Sequence, residues 1–334
     1  MSIITAQIGI GRWGKNILRN LAGLPECDLR YVCDASPEQI KVQQQNYPDL
    51  NYISDPEIIF NDPDVQAVVI ASPASTHFEL AKKALQSGKH VFAEKPLVLE
   101  IAECEELAAL AAEKDLVLME GHLLLYHGAI LRLKQAVSEG LIGDIHHLYF
   151  RRTNLGAIRF EANVLWDVGP HDFSVLLLLL DGDMPQDVSA SGTGCYLPDN
   201  EEVVLTAMKF ADGRVAHFHE SWLDPFKDRK ILIIGDKGML FLDEHATDGK
   251  VKLVKKKIVD TGHELEHERF KYQDEGHQVL DYEETEPLKS EMQHFLDCAA
   301  NNKQPRSNPQ NSLRVLKLLK AAQKSLDTGE VVQI

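Results

Sequence analysis

Cysteine is scarce in this chain. Cys27, Cys33, Cys104, Cys195 and Cys298 are odd in number, and no two of them form a CxxC pair. That pattern argues against a disulfide framework and a structural metal site, and it fits reduced thiols in a cytoplasm. Positive charge is also short: 35 basic residues face 51 acidic ones, a net charge of −16. Such an acidic chain repels a phosphate backbone, so nucleic acid is not an expected partner and any anionic ligand must meet a local cationic group. Long apolar runs are missing. Nothing approaches the ~18 residues needed to span a bilayer, so no membrane partner is expected. The opening residues MSIITAQIGIG lack a basic n-region and run straight into a strand pattern, so no signal peptide is expected either. Internal repeats and low-complexity linkers are absent too.

What is present suits a globular chain, 44% apolar and 26% charged. Its 334 residues exceed what one core of ~250–300 residues usually holds, so two domains are expected, 1–121 and 122–334. Up to residue 121, short apolar runs (AQIGIG, LRYVCD, AVVIAS, HVFAEK, LVLMEG) alternate with helical patterns at 14–22, 37–46, 77–87 and 99–113. This alternation predicts an α/β fold, a doubly wound parallel sheet with helices on both faces. Ser36-Pro37-Glu38-Gln39 reads as an N-cap with proline at the first helical position, and Thr76-His77-Phe78-Glu79 reads as a capping box.

Beyond residue 121 the strands lengthen and are joined by turns, as in VVLTAMKF-ADG-RVAHFHESW and ILIIG-DKG-MLFLDE. They predict a second, α+β domain with a large, mainly antiparallel open sheet, surrounded by helices at 127–138, 171–180, 289–300 and 311–326. The charged stretch 244–287 reads as solvated hairpins and loop. His146 and His147 fall on opposite faces of a strand, and His263, His267 and His277 lie in the charged stretch, so no metal site is expected.

Three clusters carry chemistry. Gly9, Gly11 and Gly14 have G-x-G-x-x-G spacing between the first strand and a helix, where a dinucleotide pyrophosphate would meet the helix N-terminus. A glycine-rich turn of another α/β protein is the alternative. Asp34, 23 positions after Gly11 at the end of the second strand, could accept hydrogen bonds from the adenosine ribose and would repel the 2′-phosphate of NADP, so NAD is the expected cofactor. Glu94-Lys95-Pro96 closes a later strand at the carboxyl edge of the sheet, where such folds bind ligands. In VLWDVGPHDFSVLLLLL, Pro170 suits the first position of a helix, which would place His171 in its first turn, near the positive dipole end, as a usable base. Asp167 could orient that ring or cap the helix, and Asp172 reads as a cap; a buried structural histidine is the alternative for His171. His122 and Tyr126, just past the last strand of the first domain, are candidate pocket-wall residues.

Taken together, IGIGRWG, Asp34, ASPASTH at 71–77, AEKP at 93–96 and the Asp167–His171 pair resemble the Gfo/Idh/MocA family of dinucleotide-dependent oxidoreductases, over nearly the whole chain. The resemblance implies a Rossmann domain followed by an α/β domain whose open sheet makes a homo-oligomer, a dimer or tetramer. It implies hydride transfer between nicotinamide and a hydroxyl carbon, usually of a sugar or cyclitol. Carried over by position, Lys95 and His171 match the catalytic pair, with Asp167 beside them. Gly9, Gly11, Arg12, Trp13, Gly14 and Asp34 match cofactor-binding positions, as do Ser72, Pro73, His77, Glu94 and Lys95.

RWGKNILRN, RRTNLGAIR at 151–159 and NVLWDVGPHD at 163–172 look most like the nucleotide-sugar 3-dehydrogenase branch, of the type acting on UDP-N-acetylglucosaminuronate. That implies a small-molecule partner, a nucleotide sugar, held by Arg152, Asn154, Arg159 and Tyr126, with Arg151 a further candidate cation. Arg12 stands where an aromatic residue is common, and Gly169 where alanine often stands. A dehydrogenase of free sugars or cyclitols remains open as an alternative, as does a dinucleotide-sensing regulator without chemistry, although a sensor would need neither Lys95 nor His171.

Overall fold

The computed structural model describes residues 2–156, 158–198 and 200–334, with backbone only at 266 and 267. The first unit is built on β1 (Ile3–Ile8), α1 (Gly14–Ala22), β2 (Cys27–Cys33), α2 (Pro37–Asn46), β3 (Tyr52–Ile53), α3 (Glu57–Asn61), β4 (Ala67–Ile70), α4 (His77–Gln86), β5 (His90–Glu94), α5 (Ile101–Glu113) and β6 (Leu118–Gly121). Its strands pair in parallel in the order β3-β2-β1-β4-β5-β6. Helices on both faces explain why β4, at the centre, is apolar throughout, with every residue buried. The order reverses between β1 and β4, so a crevice for a ligand is expected beyond the carboxyl ends of those two strands.

The caps of this unit fit the sequence pattern unevenly. Ser36 caps α2 as expected, its Oγ accepting from the Gln39 N–H at 3.3 Å, with Pro37 at the start. The capping box at Thr76 does not form. Residues 74–76 make a 3-10 turn, which puts Thr76 already in helical geometry; its hydroxyl turns back to donate to the Pro73 carbonyl at 2.8 Å. The capping box of this unit instead joins Glu100 and Glu103 ahead of α5.

The second unit holds α6 (Gly128–Ser138), β7 (Ile145–Leu155), α7 (Val164–Leu179), β8 (Asp187–Thr193), β9 (Val203–Lys209), β10 (Val215–Ser221), β11 (Leu223–Gly235), β12 (Met239–Asp243), β13 (Val251–Asp260), α8 (Glu266–Arg269) and β14 (Phe270–Val279). After them come α9 (Pro287–Asn301), α10 (Pro309–Thr328) and β15 (Val332–Gln333). The sheet has nine strands in the order β14-β13-β12-β11-β7-β10-β9-β8-β15, and its pairs are antiparallel except β7 with β10. The mainly antiparallel open sheet is therefore as expected, and β13–β14 is the hairpin of the charged stretch. Helix α7 lies on one face, where Phe173 meets Phe218 edge-on and Phe218 stacks on Phe150. The opposite face carries Tyr149, Leu205 and the hydrogen-bonded pair His147 and His217.

The contacts do not divide the chain at one point near residue 121. Residues up to Tyr126 and Thr285–Leu316 form one unit; His127–Glu284 and Lys317–Ile334 form the other. Helix α9 returns to the first unit because its apolar side, Met292, Phe295 and Leu296, is buried there, with Phe295 against Phe92 of β5. A linear reading has no signal for such a return. Among the described residues, no helix is long and apolar enough to cross a membrane.

Candidate functional site

The glycine loop has a distinct job at each glycine. Gly9 turns the chain with φ of +95°, and a Cβ there would stand 2.6 Å from the Ala71 carbonyl carbon, where the ends of β1 and β4 meet. A Cβ on Gly14 would run into the Gly9 carbonyl oxygen, so α1 starts tight against the strand end. Among the described residues, nothing lies within 4 Å of the Gly11 Cβ position, which leaves the backbone open to close approach. No side chain caps α1, and its first turn carries no acidic residue, so the helix start suits an anion. These residues fit a dinucleotide pyrophosphate.

Two further residues hold this loop. Buried Gln7 donates from its amide to the Gly9 and Gly14 carbonyls at 2.8 and 2.7 Å. It escaped the sequence reading, although a glutamine inside an apolar strand is the signal that could have found it. Asp34 accepts from the Ile10 N–H and the Ser36 N–H, both at 2.8 Å. A carboxylate has roughly four acceptor sites, so both bonds leave room for ribose hydroxyls. Arg12 and Trp13 are exposed beside the loop.

Around β5 the structure places several of the motif residues. His77 is buried, with Nδ1 2.9 Å from the Pro96 carbonyl and Nε2 2.8 Å from the Ser72 carbonyl. Its ring ties the loop after β4 to the loop after β5 through these two carbonyls. Ser72 meets Thr76 hydroxyl to hydroxyl at 2.6 Å, and Pro73 is exposed. Lys95 follows β5, half-buried, at the carboxyl edge of the sheet, and its peptide bond to Pro96 is cis.

Glu94 accepts from the Trp13 indole Nε1 at 2.6 Å and from the Lys95 N–H at 3.2 Å. Desolvation pushes its carboxyl up to about 7, opposed by Lys95, the Trp13 bond and His122. A raised acid favours its protonated form in the fold. The stability this contributes is complete below the ordinary value of 4.5 and is lost as pH rises through about 7. Above that pH the bond to Trp13 becomes charge-assisted. Trp13 fluorescence should therefore titrate with a midpoint at about 7, and Glu94→Gln should abolish the transition. A midpoint near the ordinary carboxylate value would show that water reaches Glu94 freely.

Behind this edge lies a buried acidic cluster that the sequence did not announce. Glu120 accepts from the Leu97 N–H at 2.9 Å and pairs with His122 Nε2 at 3.0 Å. Burial pushes Glu291 of α9 well up, reinforced by Glu94 and Glu120. Tyr126 is 3% exposed, its ring against His294 and under the Arg306 guanidinium. Both His122 and Tyr126, the candidate pocket-wall residues, are interior side chains, drawn inward by the apolar run that follows β6.

In the second unit α7 begins seven residues before the expected start. Asn163 caps it, accepting from the Trp166 N–H at 3.1 Å while its amide donates to Glu201 and Gln323 at 2.7 and 3.0 Å. Pro170 thus lies inside the helix, and His171 stands well past its first turn. The dipole argument for a neutral His171 falls away, because that effect fades beyond the first turn. Asp167 occupies the first turn instead, and the four-residue spacing puts it on the same helix face as His171. Asp172 is not a cap: it is buried and takes a fork of three bonds from Arg152 at 2.7–3.0 Å. Gly169 faces Glu220, whose Oε1 would lie 3.2 Å from an alanine Cβ. Glycine at this position leaves space for a buried acid that desolvation and Asp172 push well up.

The arginines offered for the substrate are engaged within the chain. Arg151 pairs with Asp224 and Asp228 at 3.1 and 3.3 Å, Arg152 meets Asp172 at 2.7 Å, and Arg159 meets Asp167 at 3.0 Å. Within 151–159, Ala157 lies outside the described residues, as does the side chain of His267. Asn154 receives a bond from Arg229 Nη2 at 3.0 Å. Arg229, within the charged stretch Lys227-Asp228-Arg229-Lys230, was not anticipated. Among the described residues, no three His, Cys, Asp or Glu side chains form a group suited to a metal ion.

Comparison with known proteins matches residues 4–122 to the oxidoreductase family with NAD-binding Rossmann fold named GFO_IDH_MocA, and residues 130–241 to a C-terminal domain of the same family. A structure from Magnetospirillum magnetotacticum, provisionally called an oxidoreductase, is 30% identical, covers 96% of this chain and all of its own, and has a TM-score of 0.82. Myo-inositol 2-dehydrogenase of Thermotoga maritima is 27% identical over 71% of this chain and 74% of its own. The structure of UDP-N-acetylglucosamine 3-dehydrogenase from Acidithiobacillus ferrooxidans is 24% identical, covers 98% of each chain and has a TM-score of 0.82.

Proposed function

The chain belongs to the Gfo/Idh/MocA family of NAD-binding oxidoreductases, and from that premise we propose that it oxidises a ring hydroxyl, at C3, of a nucleotide-linked sugar. The observation that carries the oxidoreductase reading is the loop in which Gly9 and Gly14 are crowded while Gly11 is open, on the same sheet edge as Lys95. NAD, when bound, supplies the hydride acceptor. Lys95 and His171 serve the substrate oxygen: one receives its proton while the other holds its growing negative charge. Asp167, fixed by Arg159, positions His171 from the preceding turn. The C3 nucleotide-sugar choice rests on the segments at 151–159 and 163–172 and on similarity to the UDP-N-acetylglucosamine enzyme. A homo-oligomer would form through the sheet face that bears Tyr149, Leu205 and His217, opposite α7.

A free cyclitol or sugar is the second reading. It is favoured by the internal pairing of Arg151, Arg152 and Arg159, which removes the cations first offered to a diphosphate, and by similarity to the inositol enzyme. Reduction of NAD followed across UDP-, dTDP- and GDP-sugars, inositol and glucose separates the two. A UDP-sugar is the expected substrate, and turnover of inositol alone would establish the second reading. In the same assay NAD should be preferred over NADP by about tenfold or more, a decade per 1.4 kcal/mol, since Asp34 would face the 2′-phosphate. Asp34→Ala should narrow that ratio by weakening NAD, and equal use of both cofactors would remove Asp34 from this role.

A further inference from the structure

Arg229 differs from the other arginines near α7. It lies on β11 directly opposite Arg152 of β7, and among the described residues it makes no ion pair. Like charges opposite each other in a sheet repel, but Asp172 neutralises Arg152. Arg229 has no such ion-pair partner among the described residues. Burial and then Arg152 lower its pKa, opposed by Glu244, Asp172 and Asp167. A half-buried guanidinium without a paired carboxylate is costly in a fold, and an anionic ligand would reduce that cost.

The group is also aimed. Nη1 donates to the Thr153 and Asp228 carbonyls, each at 2.9 Å, and Nη2 to Asn154 Oδ1 at 3.0 Å. A guanidinium has five N–H donors, so three bonds leave two. Among the described residues Nε has no partner, and yet it is not among the buried polar atoms that lack one, so this donor reaches solvent. Gly156 completes the arrangement, because the Asn154 amide occupies the place a Cβ there would take. Arg152, which Arg229 faces across the strand pair, is bonded to Asp172, the residue next to the proposed base His171 on α7.

We propose that Arg229, aimed by Asn154, is a recognition residue for an anionic group of the substrate, a carboxylate or a phosphate. The inference rests on the proposed function for its substrate class. It also explains how an acidic chain whose other nearby arginines are paired could still hold an anionic sugar. A purely structural Arg229, stapling the irregular β7–β11 pairing between Leu223 and Asp228, is the competing account.

Calorimetric titration of the full chain, saturated with NAD, with D-glucuronate, UDP and D-glucose separates them. Wild type should bind an anion more tightly than glucose, and Arg229→Met should weaken the anion by about 10- to 100-fold, the range for hydrogen bonds to a charged group, with glucose unchanged. Loss confined to glucuronate identifies a carboxylate site; loss confined to UDP identifies a phosphate site. If circular dichroism shows Arg229→Met unfolded, Asn154→Ala, which keeps the charge but loosens its aim, should still weaken the anion several-fold. Equal anion binding by wild type and the folded variant overturns the proposal, as does an anion that binds no better than glucose. Anion binding that depends on Arg229, in a chain that oxidises no sugar tested, would instead overturn the proposed function and leave this site standing.

Discussion

Lys95→Ala and His171→Ala are each expected to lower turnover by about 10²- to 10⁴-fold, the usual span for a positioned acid–base group, while NAD binding stays near that of the parent. The cradle explains the second half. Gln7, Asp34 and the three glycines keep their bonds in both variants, and none passes through the Lys95 or His171 side chain. Removal of His171 also leaves Asp167 in place, because Arg159 holds it at 3.0 Å. The double variant should be little worse than the poorer single one, since groups that serve one transition state are not additive. Stopped-flow turnover and fluorescence titration of NAD give both readings. Fully multiplicative losses would mean that the two residues serve separate steps, and a near-normal His171→Ala chain would end the proposed mechanism.

The first unit was legible because its signals are local. The Gly9, Gly11 and Gly14 spacing, the Ser36-Pro37 cap and the fully apolar run of β4 each depend on residues within one turn of chain. What failed depended on distance. Asn163 caps α7 by accepting from the Trp166 N–H, but the groups that fix its amide, Glu201 and Gln323, lie far along the sequence, and Pro170 looked like the better helix start. The three arginines at 151–159 looked available because their carboxylate partners come from α7 and β11, and Arg229 looked ordinary because the missing partner is visible only in three dimensions. Helix α9 is the largest instance: its amphipathic pattern was plain, but pattern alone does not say which core it covers.

Gly14→Ala and Gly11→Ala are expected to fail in opposite ways, although the residues are three positions apart. The added methyl at Gly14 would meet the Gly9 carbonyl oxygen, a backbone atom itself fixed by Gln7 and by contact with Ala71. Relief requires moving α1 off the strand end, a cost of about 1–3 kcal/mol for overpacking in a buried place. For a unit of this size that lowers the thermal midpoint by roughly 2–12 °C, at ~2–4 °C per kcal/mol. At Gly11 the methyl would enter empty space, so the melting curve should match the parent. The space it fills is where a pyrophosphate would approach, and NAD should bind about tenfold more weakly or worse, a decade per 1.4 kcal/mol. Calorimetric melting and NAD titration of the two variants separate packing from recognition. A Gly14→Ala chain that melts with the parent would mean that α1 does not start against Gly9, and a Gly11→Ala chain that binds NAD normally would move the phosphates away from this loop.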